Sequence, residues 1–450
     1  MKQRLTNTVK FIYGTGDVAS NLVWTTVGSF LTMYYTDVAL ISAATVGTLM
    51  LVSRILDGIT DLTMGWIIDR TRSRFGKARP WLIASAPVLC LLLVMVFSVP
   101  SGVKINEKVV YATVTYVLIC AVAYTASNLS YSIMCNLMTR NIEERNQMNT
   151  IRFIMAFLTQ MFVNSYTVIW VDRLGGGSAG WTRLMIIYAA VAMAIFGLVF
   201  VFCKEDPEML DEQNSAEKMK LQIKDILQGL TNGKHYMILA LGIYVCFYMQ
   251  LILMNSSMVY FARDVLGKKE MTISLTMFML IPSLLMLPFV PKLARRFGVH
   301  RTLSLGYLFG IIGPGVVWFS NGDLHLIFAG RILYGINQAL VAPLVQTKVS
   351  QMADYNCIIN NGMPLIGVTN SVTSFGVKIG VGLGGAMVGW LLQVGQYQAT
   401  AAVQNSSALA MENALFSIIP CVFGVLCFLL NLGWDIGKAF DQARSDLEMK

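Results

Sequence analysis

What most constrains this chain is a row of apolar runs, each close to the thickness of a lipid bilayer when wound into a helix. Strong runs lie at 81–99, 109–135, 182–203, 236–262, 271–291, 302–319 and 412–433. About 20 such residues carry a helix across the ~30 Å hydrocarbon core. Weaker, glycine-punctuated runs at 9–35, 42–68, 150–171, 325–347 and 363–393 bring the expected total to twelve. Glycine and polar side chains persist in a span only where protein or an aqueous cavity replaces lipid, so the weaker helices are expected to face the bundle interior. Composition agrees. Of 450 residues, 55% are hydrophobic and 13% charged, where a soluble domain carries roughly a quarter charged residues.

The formal charge of +9 invites a nucleic-acid reading, but its placement argues for membrane topology instead. Basic residues gather at Lys2, Arg4 and Lys10, then at Arg70, Arg72, Arg74, Lys77 and Arg79. They recur on every second connection after that, through Lys292, Arg295, Arg296 and Arg301 to Lys438, Arg444 and Lys450. The opposite loops carry few. This alternation predicts cytoplasmic termini, an even number of crossings, a multi-pass protein of the cell membrane and no nucleic-acid partner. No short basic-then-apolar leader precedes the first polar stretch, so no cleaved signal peptide is expected. Trp66, Trp81, Trp170, Trp181 and Trp434 fall near the expected span ends, where an aromatic belt would sit. The eight cysteines are scattered without disulfide or zinc spacing and read as small packing residues.

The organisation is two-fold. The one long polar stretch, 204–235, parts a six-helix half at 1–203 from a six-helix half at 236–434, with a cytoplasmic tail at 435–450. RFGKAR at 74–79 returns as RFGVHR at 296–301, each after the second span of its half, as a duplication would leave it. In folds of that kind the substrate sits near the membrane midplane between the halves.

The segment GWIIDRTRSRFGKARP at 65–80 resembles the loop between the second and third helices of the major facilitator superfamily. YGTGDVASN (13–21), YYTDV (34–38), GTLMLVSRILDGITD (47–61), ADY (353–355) and Lys378 resemble the glycoside, pentoside and hexuronide cation symporters, the melibiose carrier family. The likeness spans nearly the whole chain and is strongest in its first 80 residues. It implies an all-α integral membrane protein with the twelve-transmembrane-helix major facilitator fold, and secondary active uptake of a sugar.

The residues point to a site of their own. Arg54, Asp57 and Asp61 lie at i, i+3 and i+7 of the second span, so one helical face carries all three and the carboxylates stand one turn apart. Two buried carboxylates so close share a proton or are neutralised by a hard cation that accepts oxygen ligands. Asp57 and Asp61 would then be the metal ligands if the ion is sodium. The plainer alternative is that Arg54 neutralises one aspartate and the face only ties helices together. The resemblance implies further cation ligands at Thr60 and Thr125; Thr60 stands where sodium-using melibiose carriers have asparagine, which leaves sodium and proton both open.

For the sugar, the resemblance points to Asn21, Asn128, Arg152 and Lys378. Asn21 and Asn128 replace aspartates of melibiose carriers, which keeps hydrogen bonding and removes negative charge. The alternative for each is an ordinary interhelical hydrogen bonder. Trp24 and Tyr124 would offer stacking faces, or simply pack. The family's arginine and acid after the Asp-Tyr of the tenth helix are missing from DYNCIINNGMPLIG (354–367), and its supporting tryptophans are Pro343 and Ser132. Melibiose is therefore a poor substrate guess. Retained cations beside lost acids favour an anionic glycoside such as a hexuronide; a neutral pentoside or oligosaccharide is the alternative, with a lipid-type substrate and a transporter-fold sensor behind it. No enzymatic constellation is present: His235, His300 and His325 all lie near polar ends, and no cofactor is implied beyond a coupling ion. The expected partners are the sugar and membrane lipid, with the protein a monomer.

Overall fold

Several helices begin where a side chain satisfies one of the first unpaired amides. Thr6 caps Val9 N (3.4 Å), Asn141 caps Glu143 N (2.9 Å), Asp323 caps His325 N (2.8 Å) and Asn405 caps Ala408 N (2.7 Å). The computed structural model describes residues 5–139, 141–206, 234–360, 366–401 and 403–437, with 439, 440, 442 and 445 of the tail. The central segment 207–233 and most of 438–450 therefore lie outside the described residues, as do 361–365 of the altered tenth-helix segment. All regular structure among the described residues is helical.

The chain divides into two units, Met1–Met219 and Lys220–Lys450. The first holds α1 (Asn7–Met33), α2 (Ala43–Arg70), α3 (Arg79–Val96), α4 (Ile105–Met138), α5 (Ile142–Arg173) and α6 (Gly177–Phe202). The second holds α7 (Lys234–Val265), α8 (Met271–Phe297), α9 (Val299–Trp318), α10 (Leu324–Ile359), α11 (Ile366–Val394) and α12 (Ser406–Gly433). Ten of these twelve are long and apolar enough to cross a membrane on length and composition; α1 and α9 are the other two.

Within the first unit, α1 packs on α5 and α6, α3 on α4 and α6, and α2 on α4. Within the second, α7 packs on α11 and α12, α9 on α10 and α12, and α8 on α10. The pairings are the same after a shift of six helices, which is what duplication of a six-helix unit leaves behind. In α9 and α10 the approach is close enough that a methyl group on Gly313 would lie 2.7 Å from Gly330 O. Small residues let backbones meet this way where lipid gives no hydrophobic drive between helices.

The repeated RFG turn has a shared backbone cause. Gly76 (φ 107°) and Gly298 (φ 84°) both take the left-handed region, which only glycine enters freely. In the first unit this turn is clasped by Glu205, just past α6. Its carboxylate accepts from Lys77 N (2.7 Å), Ala78 N (2.9 Å) and Arg79 N (2.8 Å), filling the N-terminus of α3 where Ala78 offers no side-chain cap. Arg79 in turn donates to Phe200 O and lies 4.7 Å over the Phe200 ring.

The expected aromatic belt needs correction. Trp66 is exposed, but Trp181 and Trp434 are fully buried. Trp181 stacks on Phe97 at 5.1 Å and packs near Phe30 and Tyr34, while Trp434 lies under the Lys348 ammonium at 4.6 Å. These indoles fill protein interior at helix ends, where the sequence alone places them only by depth.

Candidate functional site

The charged face of α2 meets α4 at an irregular stretch. Leu118–Tyr124 of α4 is wound as a π-helix, which admits an extra residue and displaces the residues beyond it. Thr125, the first of these, comes to 2.9 Å from Asp57 Oδ1 and 3.2 Å from Cys120 O. Arg54, one turn before Asp57, reaches Asp57 Oδ2 from the other side at 3.5 Å. Both Arg54 and Asp57 are buried. Asp61, a turn further on, is half-buried, and Thr60 spends its hydroxyl on Asp57 O at 3.1 Å. The structure thus brings Asp57 and Thr125 into direct contact, and turns Thr60 back onto its own helix.

Arg54 is also the top layer of a stack. Its guanidinium lies 4.4 Å from the Trp24 ring centroid, and Trp24 stacks on Tyr124 at 4.8 Å with 24° between planes. The three layers join α2, α1 and α4, and cation–π contact of this kind strengthens when desolvated. Trp24 and Tyr124 are both half-buried.

A second stack of an arginine over two aromatic rings lies three turns earlier on α1. Tyr13 and Tyr131 stack at 4.7 Å, and Arg152 of α5 sits 4.5 Å over Tyr131. The two phenols lock each other: Tyr13 Oη donates to Tyr131 O at 2.7 Å and Tyr131 Oη donates to Tyr13 O. No Cβ fits at Gly16, where it would lie 2.4 Å from the Tyr131 ring. Arg152 Nε donates to Asp17 Oδ2 at 2.6 Å, a partner that neither spacing nor resemblance assigns. Asn21 Nδ2 donates to Asp17 O at 2.9 Å. Asp17, Asn149, Arg152, Phe153 and Ala156 line a cavity of about 160 Å³.

Asn21 falls between Tyr13 and Trp24 in the register of α1, and Asn128 between Tyr124 and Tyr131 in that of α4; both are half-buried. The amides therefore occupy the interval between the two aromatic tiers. Lys378 is half-buried on α11 in the second unit. Asp17 had a legible signal. An ionisable residue inside a span calls for a partner, and Arg152 was the other intramembrane charge of that half left without one by spacing.

Comparison with known proteins gives one consistent result. A family described as MFS/sugar transport protein matches residues 12–437. An isoprimeverose transporter of Lactiplantibacillus pentosus is 32% identical over 98% of this chain and 91% of its own length. A glucuronide carrier protein homolog of Escherichia coli (strain K12) is 27% identical over 96% and 93%. Among solved structures, the inward-open xylose transporter XylE from E. coli aligns with a TM-score of 0.65 at 13% identity, over 95% of this chain and 96% of that one, which speaks for the fold. The molecule is a multi-pass membrane transporter and no enzyme: it belongs to the MFS/sugar transport protein family.

Proposed function

We propose that this chain couples uptake of a glycoside to a cation moving down its gradient, with the coupling site at Asp57 and Asp61 and the sugar site between the two aromatic tiers. The observation that carries the reading is Asp57 itself. A carboxylate inside the bilayer region is held at Oδ1 by Thr125, at 2.9 Å, and balanced from the far side by Arg54 at 3.5 Å. A second carboxylate, Asp61, stands one turn later on the same face. Two carboxylates one turn apart on one face repel strongly where water does not screen them, and a mobile cation arriving between them relieves that repulsion.

Arg54 also links ion to sugar. It touches Asp57 and lies over the Trp24 ring, which stacks on Tyr124 beside Asn21 and Asn128 in the register. A cation drawn to Asp57 relaxes the hold on Arg54, and Arg54 passes that change to the stacking face on which a sugar ring rests. In this reading Thr60 contributes an oxygen only after turning from Asp57 O, and Lys378 is kept as a substrate-binding candidate on the strength of the resemblance alone. The halves 1–203 and 236–434 are joined by a cytoplasmic segment at 204–235; both termini are cytoplasmic, the membrane is the cell membrane, and the working unit is one chain.

The test is uptake into proteoliposomes. Asp57→Asn and Asp61→Asn should abolish accumulation against a gradient while leaving sugar exchange partly intact. Imposing a sodium gradient or a proton gradient separately names the ion. Concentrative uptake by both single variants would refute the coupling assignment.

A further inference from the structure

Arg152 carries an acid of its own. Its Nε lies 2.6 Å from Asp17 Oδ2, and the two side chains are only 19% and 13% exposed. We propose that Asp17, paired with Arg152, is the acidic sugar-binding group of this transporter, and that the pair selects a neutral, hydroxyl-rich glycoside over a uronide; this rests on the sugar symport reading above.

Charge gives the direction of selectivity. A guanidinium without a partner would draw a substrate carboxylate, but here a carboxylate oxygen already occupies it. A uronate approaching the cavity meets a pair whose cation is already balanced and whose carboxylate repels it, and in a largely buried site that repulsion is little screened. A neutral glycol suits the same pair. Its hydroxyl hydrogens point to Asp17, its oxygens accept from the Arg152 fork, and both contacts are charge-assisted.

Position explains where the acid went. Asn21 stands where melibiose carriers, by resemblance, have an aspartate, and Asp17 lies one helical turn before it on the same face of α1. The Asn21 amide donates back to Asp17 O at 2.9 Å, so the two residues form one local unit. A single negative charge is kept beside the arginine while its place moves by a turn.

Rigidity makes the pair a recognition element. Arg152 lies 4.5 Å over Tyr131, and Tyr131 is locked to Tyr13 through reciprocal hydroxyl-to-carbonyl bonds. A guanidinium plane fixed in this way loses little freedom when a ligand arrives. A purely structural tether is not required at this point, because α1 already meets α5 so closely at Gly14 that a Cβ there would lie 2.3 Å from Ile151. The cavity of about 160 Å³ that opens on the pair has Asn149 as a further polar wall and Phe153 and Ala156 as apolar ones, the mixture a sugar ring with one apolar face prefers.

The experiment is competition binding on the full chain in lipid nanodiscs, with methyl β-D-xyloside, methyl β-D-glucoside and methyl β-D-glucuronide as ligands. The wild-type protein should prefer the neutral ligands by roughly tenfold or more, the worth of a charge-assisted hydrogen bond lost and a repulsion gained. Asp17→Asn should weaken the neutral ligands about tenfold and strengthen the glucuronide, so that the preference inverts. Equal binding of glucuronide and glucoside by the wild type, or an unchanged ratio in Asp17→Asn, overturns the proposal. If Asp17→Asn does not fold, Asp17→Glu decides: weaker binding with the neutral preference kept supports the assignment, and unchanged affinity for every ligand overturns it. Should the wild type bind none of the three, the sugar reading itself has failed and this proposal goes with it.

Discussion

Replacing Glu205 should release the start of α3 without disturbing the helices beneath it. The carboxylate takes three backbone N–H groups at 2.7–2.9 Å and is 7% exposed, so little water can stand in for it. A hydrogen bond to a charged acceptor contributes about 1.5–3 kcal/mol, and a negative charge at a helix N-terminus adds up to about 1 kcal/mol. The three share one acceptor group and do not add fully. Glu205→Ala should therefore lower the free energy of local opening at 77–79 by about 3 kcal/mol. With 1.4 kcal/mol to each factor of ten, that speeds amide exchange at Lys77, Ala78 and Arg79 by about a hundredfold. Glu205→Gln keeps Oε1 for Ala78 N and Arg79 N but turns an amide toward Lys77 N, so its effect should be about tenfold. Hydrogen–deuterium exchange read by mass spectrometry on the peptide covering 74–80 measures both. Exchange in Glu205→Ala within threefold of wild type would sink the argument, because three bonded amides cannot lose their acceptor at no cost.

Gly313→Val should destabilise the protein by about 3 kcal/mol, since the new side chain meets the α10 backbone at Gly330 O. Gly315→Ala, two residues on with nothing within 4 Å of the new methyl, should leave the melting temperature unchanged or slightly higher; equal losses in the two variants would mean that α9 and α10 are not packed as described. For topology, Ser73→Cys should react with a membrane-impermeant thiol reagent only after the cells are opened. Labelling of intact cells would reverse the assigned orientation.

The long apolar runs made most of the fold readable, because bilayer thickness fixes helix length so tightly. The RFG repeat also carried a backbone reason: both copies need glycine in the left-handed region. Within the candidate site, the α2 face was legible from spacing alone, since Arg54, Asp57 and Asp61 must share a side of one helix. Contact between Asp57 and Thr125 came from resemblance and not from spacing, because they lie 68 positions apart on different helices. Two features stayed out of reach. The acceptor role of Glu205 is invisible in sequence, as its partners are backbone amides that every residue type supplies. The Asp17–Arg152 pair joins residues 135 positions apart on different helices, so sequence could show that each ionisable residue needs a partner but not that they are each other's. The expectation of an anionic sugar rests on Arg152 and Lys378 beside two lost acids, and Asp17 supplies an acid at Arg152 that it leaves out.

The π-helical stretch Leu118–Tyr124 bears on how such a site can arise at all. A π-turn is what a helix becomes when one residue is inserted and the flanking packing is kept. Deleting a single residue there, Ala121 for instance, would restore regular winding and rotate Thr125, Asn128 and Tyr131 about 100° around α4 relative to its N-terminal half. Thr125 would leave Asp57 and Tyr131 would leave Tyr13 in the same step. The equivalent helix of the second unit, α10, has Pro343 within its span and no π-turn among its described residues. A single extra residue in α4 thus decides which side chains of that helix reach α1 and α2, and α10, without it, presents its own side chains in regular register.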